Sequence, residues 1–142
     1  MPLGFLLSAL GHELRARTSE ALEPFGLSPR TLGLMIRLDD HGPIGQGRLG
    51  RLHRLDRTTT AKSTDDLESA GYLRRTRDPH DGRVHLLALT ELGRSTLHDA
   101  RDRVDAVERS ATASFSDDER EVVRGLLARA LSDVGAVDRG PR

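Results

Sequence analysis

The sequence predicts a mainly α-helical fold with one small β-hairpin. Aromatic residues make up 3% of the 142 residues, so the core has to be built from Leu, Val and Ala, which favours helices over a β-sandwich. Apolar residues recur at helical spacing along most of the chain. After Gly71 the pattern changes to alternation around a cluster of turn-forming residues, which is typical of a hairpin.

Four helices are predicted before the hairpin. The first runs from Leu3 to Leu22, and the second from Ser28, an N-cap followed by proline, to His41. A short helix weakened by glycines follows from Gln46 to His53. Asp56 is the predicted N-cap of the fourth helix, which reaches Ala70 and stops because a glycine follows.

The hairpin and two long helices make up the rest of the chain. Its predicted strands are Tyr72 to Arg75 and Arg83 to Leu89, joined by a polar Asp-Pro-His-Asp-Gly tip at 78–82. Thr90 can cap the fifth helix. The sequence Ser-Asp-Asp-Glu at 116–119 is a capping box that begins the sixth.

The first, fifth and sixth helices carry more apolar surface than one thin lobe can bury. The fifth repeats apolar residues in a heptad-like seam, and the sixth has a broad apolar face from Val122 to Val134. We expect these helices to form a homodimer, with a larger intramolecular core as the alternative. The tail from Asp138 is expected to fray.

The composition excludes several classes of protein. The chain has no cysteine, which removes disulfides, thiolate zinc sites, cysteine nucleophiles and thiol-based redox sensing. No apolar run approaches the roughly 20 residues of a membrane span. Leu3 to Leu10 is apolar, but charged residues follow it rather than precede it, so a signal peptide is a poor interpretation. We therefore expect a cytoplasmic protein with no membrane partner.

Residue patterns for catalysis and cofactor binding are missing from the sequence. There is no Ser-His-Asp arrangement on a nucleophile elbow, and the glycine-rich stretch at 42–47 lacks the strand, lysine and hydroxyl of a phosphate loop. Asp78, His80, Asp81 and His85 are possible metal ligands, but a mobile tip is a poor preorganised cage. We expect no enzyme activity, no cofactor and no metal site.

The order of the predicted elements describes a winged helix-turn-helix. The chain carries 22 basic and 22 acidic residues, but they are segregated. Nine basic and six acidic residues lie between Arg48 and His85, whereas seven basic and eleven acidic residues lie between Glu91 and Asp138. A basic middle and an acidic end orient a protein on a polyanion. Double-stranded DNA is therefore the expected partner.

In this fold the helix from Asp56 to Ala70 is the recognition helix, which the major groove of about 12 Å admits. Its first turns combine long cations with small hydroxyls that bind phosphates or base edges. The hairpin from Tyr72 to Leu89 is the wing, whose cations reach an adjacent groove. The candidate DNA contacts are Arg57, Thr58, Thr59, Lys62, Arg75, Arg77 and Arg83. A solvated helix face is the alternative for the first four.

Three segments resemble the MarR family of bacterial transcription regulators. They are Leu-Glu-Ser-Ala-Gly-Tyr-Leu-Arg-Arg at 67–75, Arg-Asp-Pro-His-Asp-Gly-Arg at 77–83 and Leu-Ala-Leu-Thr-Glu-Leu-Gly at 87–93. All three stand in the family's order and spacing, and the six-helix layout extends the resemblance over nearly the whole chain. The resemblance implies one domain over 1–142, with a DNA-binding lobe at about 28–90 and a dimerisation lobe at about 1–25 and 91–138.

The same resemblance implies a homodimeric regulator, most simply a repressor, that binds a pseudo-palindromic operator. Asp81 is then expected to hold the wing cation Arg83 by a charge-assisted bond. A small anionic or aromatic effector between the lobes is also implied, and His12, Arg15, Arg37 and His41 are its candidate lining residues. The alternative function is a protein-interaction adaptor that does not bind DNA.

Four positions depart from the family pattern. His53, Thr60 and Thr64 stand where apolar residues are usual, and Gly50 replaces a usual alanine. Thr60 and Thr64 fall on the face of the recognition helix that packs inward, where threonine buries less apolar surface. These departures predict a looser DNA-binding lobe rather than a different fold.

Overall fold

A computed structural model describes residues 1–137 and gives six α-helices and three short strands. The frayed tail predicted from Asp138 lies outside the described residues. The chain forms two compact units, Met1–Val107 and a second that begins at Glu108. The helices are α1 (Leu3–Leu22), α2 (Pro29–His41), α3 (Gln46–Leu52), α4 (Arg57–Ser69), α5 (Glu91–Ala111) and α6 (Asp117–Val137), with a 3₁₀ turn at Glu23–Phe25; the strands are β1 (Ile44–Gly45), β2 (Leu73–Arg77) and β3 (His85–Leu89).

The predicted caps begin the helices where the sequence placed them. The Ser28 hydroxyl accepts a hydrogen bond from the Thr31 backbone N–H at 3.2 Å, which closes a capping box on α2. Asp56 caps α4, and the backbone N–H of Gly93 donates to the Thr90 hydroxyl at 2.9 Å at the start of α5. Side chains thus satisfy backbone donors that a helix start leaves unpaired.

The hairpin belongs to a three-stranded antiparallel sheet of order β1-β3-β2. The predicted hairpin is confirmed as β2 and β3. The sequence analysis missed β1, because two residues are too few to show alternation and their partners lie far along the chain. Ile44 pairs with Leu87, and Leu73 pairs with Leu89. β3 begins at His85 and not at Arg83 as predicted, so Arg83 belongs to the turn.

The core of the first unit is built almost wholly of leucine and methionine. Leu34 and Met35 of α2, Leu49 of α3, Leu67 of α4 and Leu87 of β3 are all fully or almost fully buried. They form one continuous cluster, which fixes the recognition helix and the sheet to the helices behind them.

A close approach of backbone to backbone joins α5 to the end of α4. A Cβ on Gly93 would lie 2.9 Å from the Tyr72 carbonyl carbon and closer still to its oxygen, so only glycine fits. The Tyr72 hydroxyl donates to the Phe25 carbonyl at 2.7 Å, and the Thr90 hydroxyl to the Gly71 carbonyl at 2.6 Å. This packing explains why the segment at 87–93 has threonine at position 90 and glycine at position 93.

Two helices present apolar faces to solvent. At the start of α1, Leu3 is 70% exposed and Phe5 is 68% exposed. In the second unit, Val122, Leu126 and Leu131 of α6 are exposed as well. Contiguous apolar surface of this kind marks an interaction site.

Candidate nucleic-acid interface

The recognition helix α4 has one buried and one outward stripe. Thr60, Ser63, Thr64 and Leu67 are its buried residues. At 100° per residue, the opposite direction is occupied by a second stripe at i, i+4, i+7 and i+11. That outward stripe consists of Thr58, Lys62, Asp65 and Ser69, and all four are exposed.

The predicted DNA contacts on α4 differ in how they are engaged. Thr59 belongs to the N-cap, since its hydroxyl donates to Asp56 at 2.6 Å. Hydrogen bonds from the Thr59 side chain and backbone lower the pKa of the Asp56 carboxyl below its ordinary value. Lys62 lies 3.3 Å from Asp66 in an exposed i,i+4 pair. Arg57 and Thr58 are exposed at the first turn.

The start of α2 lies beside the recognition helix and adds a cation that the sequence analysis missed. A groove of about 230 Å³ between them is lined by Arg30, by Lys62 with its ion-pair partner Asp66, and by hydroxyl side chains. Cations and hydroxyls are the groups that bind phosphate oxygens. Arg30 at the first turn of a capped helix was the only local sign. The hydroxyl residues of the groove are Ser28, Thr31, Thr58, Thr59 and Ser63.

The wing presents two exposed cations. Among residues 1–137 the structure records no ion pair for Arg77 or Arg83. Asp81 accepts from the backbone N–H of Arg83 at 3.0 Å. The expected bond from Asp81 to the guanidinium was wrong, because the carboxylate caps a local backbone turn instead.

Arg75 was predicted to contact DNA, but its guanidinium is engaged inside the protein. It lies 2.7 Å from Asp65 and also pairs with Glu68 of the recognition helix. The same group is within hydrogen-bond distance of Thr64 and of Gln46 at the start of α3. The Arg75 side chain is 26% exposed.

Each departure from the family pattern has a partner that accommodates it in the structure. Thr60 donates to the Asp56 carbonyl at 2.7 Å, and a Cβ on Gly50 would lie 2.6 Å from the Thr60 hydroxyl oxygen. The Thr64 hydroxyl has three acceptors within reach of its one proton, the backbone carbonyls of Thr60 and Ala61 and the Gln46 amide oxygen. A Cβ on Gly33 would similarly lie 2.6 Å from Nε2 of His53. Small residues therefore make room for the polar ones.

One of the predicted effector-binding residues, Arg15, lines a cavity, and the effector site stays a prediction. A cavity of about 640 Å³ is lined by Arg15, but neither His12, Arg37 nor His41 lines it, because the turn after α3 rather than the end of α2 closes it. His41 instead lies with Nδ1 3.0 Å from the carbonyl of Arg37. The cavity is lined by Leu14, Arg15, Thr18, Ser19, Ser28, Pro29, Arg30, His53 and Leu55.

His53 is the titratable group in this cavity with a displaced pKa. Burial lowers the pKa of its imidazole, and the charges of Arg37 and Arg30 lower it further. A neutral imidazole between arginines can still accept or donate a hydrogen bond. The cavity therefore offers a ligand the guanidinium groups of Arg15 and Arg30 and the neutral ring of His53.

Two negative findings concern metal binding and membrane insertion. In residues 1–137 no group of three or more His, Asp or Glu side chains is arranged to hold a metal ion. No helix within the same range is long and apolar enough to cross a membrane.

Similarity to known proteins identifies the family. The MarR family model matches residues 27–85, which contain α2 to β2 and the first residue of β3. A solved transcriptional regulator of the MarR family from Rhodococcus sp. RHA1 is 31% identical, covers 88% of this chain and 89% of its own, and superposes with a TM-score of 0.80. The chain belongs to the MarR family. MarR proteins are transcriptional regulators and not enzymes, so the absence of catalytic motifs agrees with this membership.

Two other relatives give the context of this MarR chain. The transcriptional repressor CouR, solved bound to a 23-mer DNA duplex, is 27% identical with a TM-score of 0.83, covering 92% of each chain. CouR from Rhodococcus jostii RHA1 was also solved bound to p-coumaroyl-CoA, at 32% identity and a TM-score of 0.76 over 88% of each chain. An uncharacterised HTH-type regulator of Bacillus subtilis, YxaD, is 33% identical over 68% of this chain and 67% of its own.

Proposed function

We propose that this regulator is a homodimeric repressor that binds a pseudo-palindromic operator in the cytoplasm. Its recognition helix α4 enters the major groove, and the β2–β3 wing reaches the adjacent groove. The observation that carries the proposal is the set of exposed cations, Arg57 and Lys62 on α4 with Arg77 and Arg83 on the wing, in one compact unit. CouR, a relative described as a repressor, is bound to DNA.

The contacts divide by chemistry. Arg77 and Arg83 have exposed guanidinium groups and act as groove or phosphate contacts. Arg30 and Lys62, which line one groove, act on the phosphate backbone beside the recognition helix. Thr58 belongs to the outward stripe in the first turn, the part of a recognition helix that reaches base edges.

A second copy of the chain covers the exposed apolar faces in this proposal. The start of α1 carries Leu3, Phe5 and Leu6, and α6 carries Leu126 and Leu131, all exposed in the single chain. Burying such faces stabilises association by about 25 cal/mol for each Å² of apolar surface removed from water. Two recognition helices related by a two-fold axis then match half-sites about one helical turn apart.

The cavity beside His53 is the proposed effector site. Arg15 and Arg30 suit a carboxylate or another small anion, and Leu14 and Leu55 supply apolar contact. CouR binds p-coumaroyl-CoA, which is both anionic and aromatic. A ligand that prefers a dimer with displaced recognition helices would lower the operator affinity.

The experiment is a selection from a randomised DNA library, followed by fluorescence-anisotropy titrations across a salt series. We expect a palindromic sequence to be enriched, and Arg83→Ala to lose its binding while sedimentation still shows a dimer. Arg77→Ala should reduce the salt slope by about 0.9 for the phosphate contact it removes. Arg129→Ala removes the same charge from α6, which carries none of the candidate DNA contacts, and should behave as wild type.

Two outcomes contradict the proposal. Operator affinity of Arg83→Ala equal to that of the wild type would remove the wing from the interface. No DNA binding even at low salt would favour the protein-interaction adaptor, and a partner would then be sought by pull-down.

A further inference from the structure

The recognition helix carries more negative than positive charge, although it is meant to lie against phosphates. Arg57 and Lys62 are its cations, whereas Asp65, Asp66 and Glu68 follow in its second half. Asp65 belongs to the outward stripe and is 64% exposed. Like charges facing a polyanion oppose binding unless they are neutralised nearby.

Arg75 of β2 offsets one of these negative charges, and it does so from the protein side. Its Nη2 lies 2.7 Å from Asp65 Oδ1, and its Nη1 contacts Glu68. Nη2 also lies 3.2 Å from the buried Thr64 hydroxyl and 3.3 Å from the Gln46 amide oxygen. We call these five residues the Arg75 cluster.

The Arg75 cluster joins three elements at one guanidinium. Asp65 and Glu68 are on successive turns of α4, Gln46 begins α3, and Arg75 pairs with Leu87 in the sheet. A guanidinium is a rigid planar fork, so its hydrogen bonds fix direction as well as distance. Rotation of α4 about its axis would break the bonds to Asp65 and Glu68 together.

We propose that Arg75 is a positioning residue for sequence reading: it sets the rotation of α4 against the sheet and offsets one of the two negative charges of Asp65 and Glu68, and it makes no phosphate contact. This inference rests on the proposed DNA-binding function. It replaces the prediction from sequence that Arg75 contacts DNA. It also gives the polar Thr64 a purpose, because an apolar side chain there could not bond the guanidinium.

The test compares Arg75→Gln with Arg74→Gln, a matched loss of charge at the exposed neighbouring position on the same strand. Both are titrated with the duplex that the wild type selects and with a scrambled duplex. Arg75→Gln should lower the ratio of specific to non-specific affinity by about tenfold or more, comparable to one mismatched base pair. Its non-specific affinity and salt slope should match those of Arg74→Gln.

A second variant approaches the cluster from the acids. Asp65→Asn with Glu68→Gln removes two negative charges and should strengthen non-specific binding, yet it should lower the same specificity ratio because the guanidinium loses its anchors. If the ratio of this variant equals that of the wild type, the proposal is wrong. This variant decides the question should Arg75→Gln fail to fold.

Hydrogen exchange of α4 amides separates failure of this inference from failure of the proposed function. In the absence of DNA, Arg75→Gln should exchange faster across 60–69 than Arg74→Gln. Equal exchange overturns the positioning role whatever the DNA result. A salt slope about 0.9 lower than that of Arg74→Gln would instead make Arg75 a phosphate contact. If the wild type selects no duplex while exchange behaves as expected, only the DNA-binding proposal fails.

Discussion

Replacing Gly93 by alanine is expected to destabilise the protein, although alanine is the better helix former. Gly93 is buried in the first turn of α5. The added Cβ would lie 2.9 Å from the Tyr72 carbonyl carbon and 3.1 Å from its Cα. These neighbours are backbone atoms, so no side-chain rotation can relieve the contact.

The magnitude follows from two opposing effects. Alanine in a helix is favoured over glycine by about 1 kcal/mol. Because the Tyr72 carbonyl oxygen is the nearest atom, ordinary contact requires α5 to move by more than about 1 Å, and overpacking of this kind falls toward the upper end of roughly 1 to 3 kcal/mol. The Tyr72 carbonyl also accepts from the Thr90 N–H at 3.1 Å, which the movement strains. We expect a net loss of about 1 to 2 kcal/mol.

The assay is urea unfolding followed by circular dichroism, with Gly125→Ala as the matched control. Gly125 is in the interior of α6, which has 21 residues as α5 does. A Cβ added to Gly125 meets nothing within 4 Å. That variant should gain up to about 1 kcal/mol. Equal stability changes in the two variants would refute the close-approach reasoning.

Three further predictions concern the interior of the first unit. His53 should lower the free energy of unfolding as the pH falls below its ordinary pKa of 6.5, because the unfolded chain then binds a proton that the folded site resists. The urea midpoints of wild type and His53→Gln should therefore diverge between pH 7.5 and 5.5. Parallel curves would contradict this. Gly50→Ala should be destabilising, because the new Cβ meets the hydroxyl and methyl group of Thr60. A double-mutant cycle with Thr60→Ala, which removes both groups, should show a coupling of about 1 kcal/mol. Additive effects would exclude the contact. Tyr72→Phe should cost about 1 kcal/mol by leaving the Phe25 carbonyl without its donor, whereas an unchanged midpoint would mean that water replaces it.

Helix positions could be predicted from the sequence because their determinants are local. A capping residue and the donor it satisfies are at most three residues apart, as at Ser28, Asp56 and Ser116. The winged helix-turn-helix order followed from these caps and from the change of period after Gly71. The family assignment rested on three short segments whose spacing the fold requires.

The features that could not be predicted depend on residues far apart in the chain. Arg75 is seven residues from Glu68 and 29 from Gln46, and only folding of β2 beside α4 brings them together. His53 is accommodated by Gly33 on another helix, a pairing with no local sign. Of the predicted effector-binding residues only Arg15 lines the cavity beside His53, because the other lining residues come from segments far apart in the chain.

The wing tip is shaped by backbone hydrogen bonds and acidic side chains alone. Asp78 accepts from the backbone N–H of His80 at 2.8 Å, Asp81 from that of Arg83, and the Asp78 N–H donates to the Val84 carbonyl at 2.9 Å. The guanidinium groups of the tip are therefore not needed to hold its form. Under the proposed function, the cations at 77 and 83 can therefore be exchanged to alter operator preference without redesigning the loop that carries them.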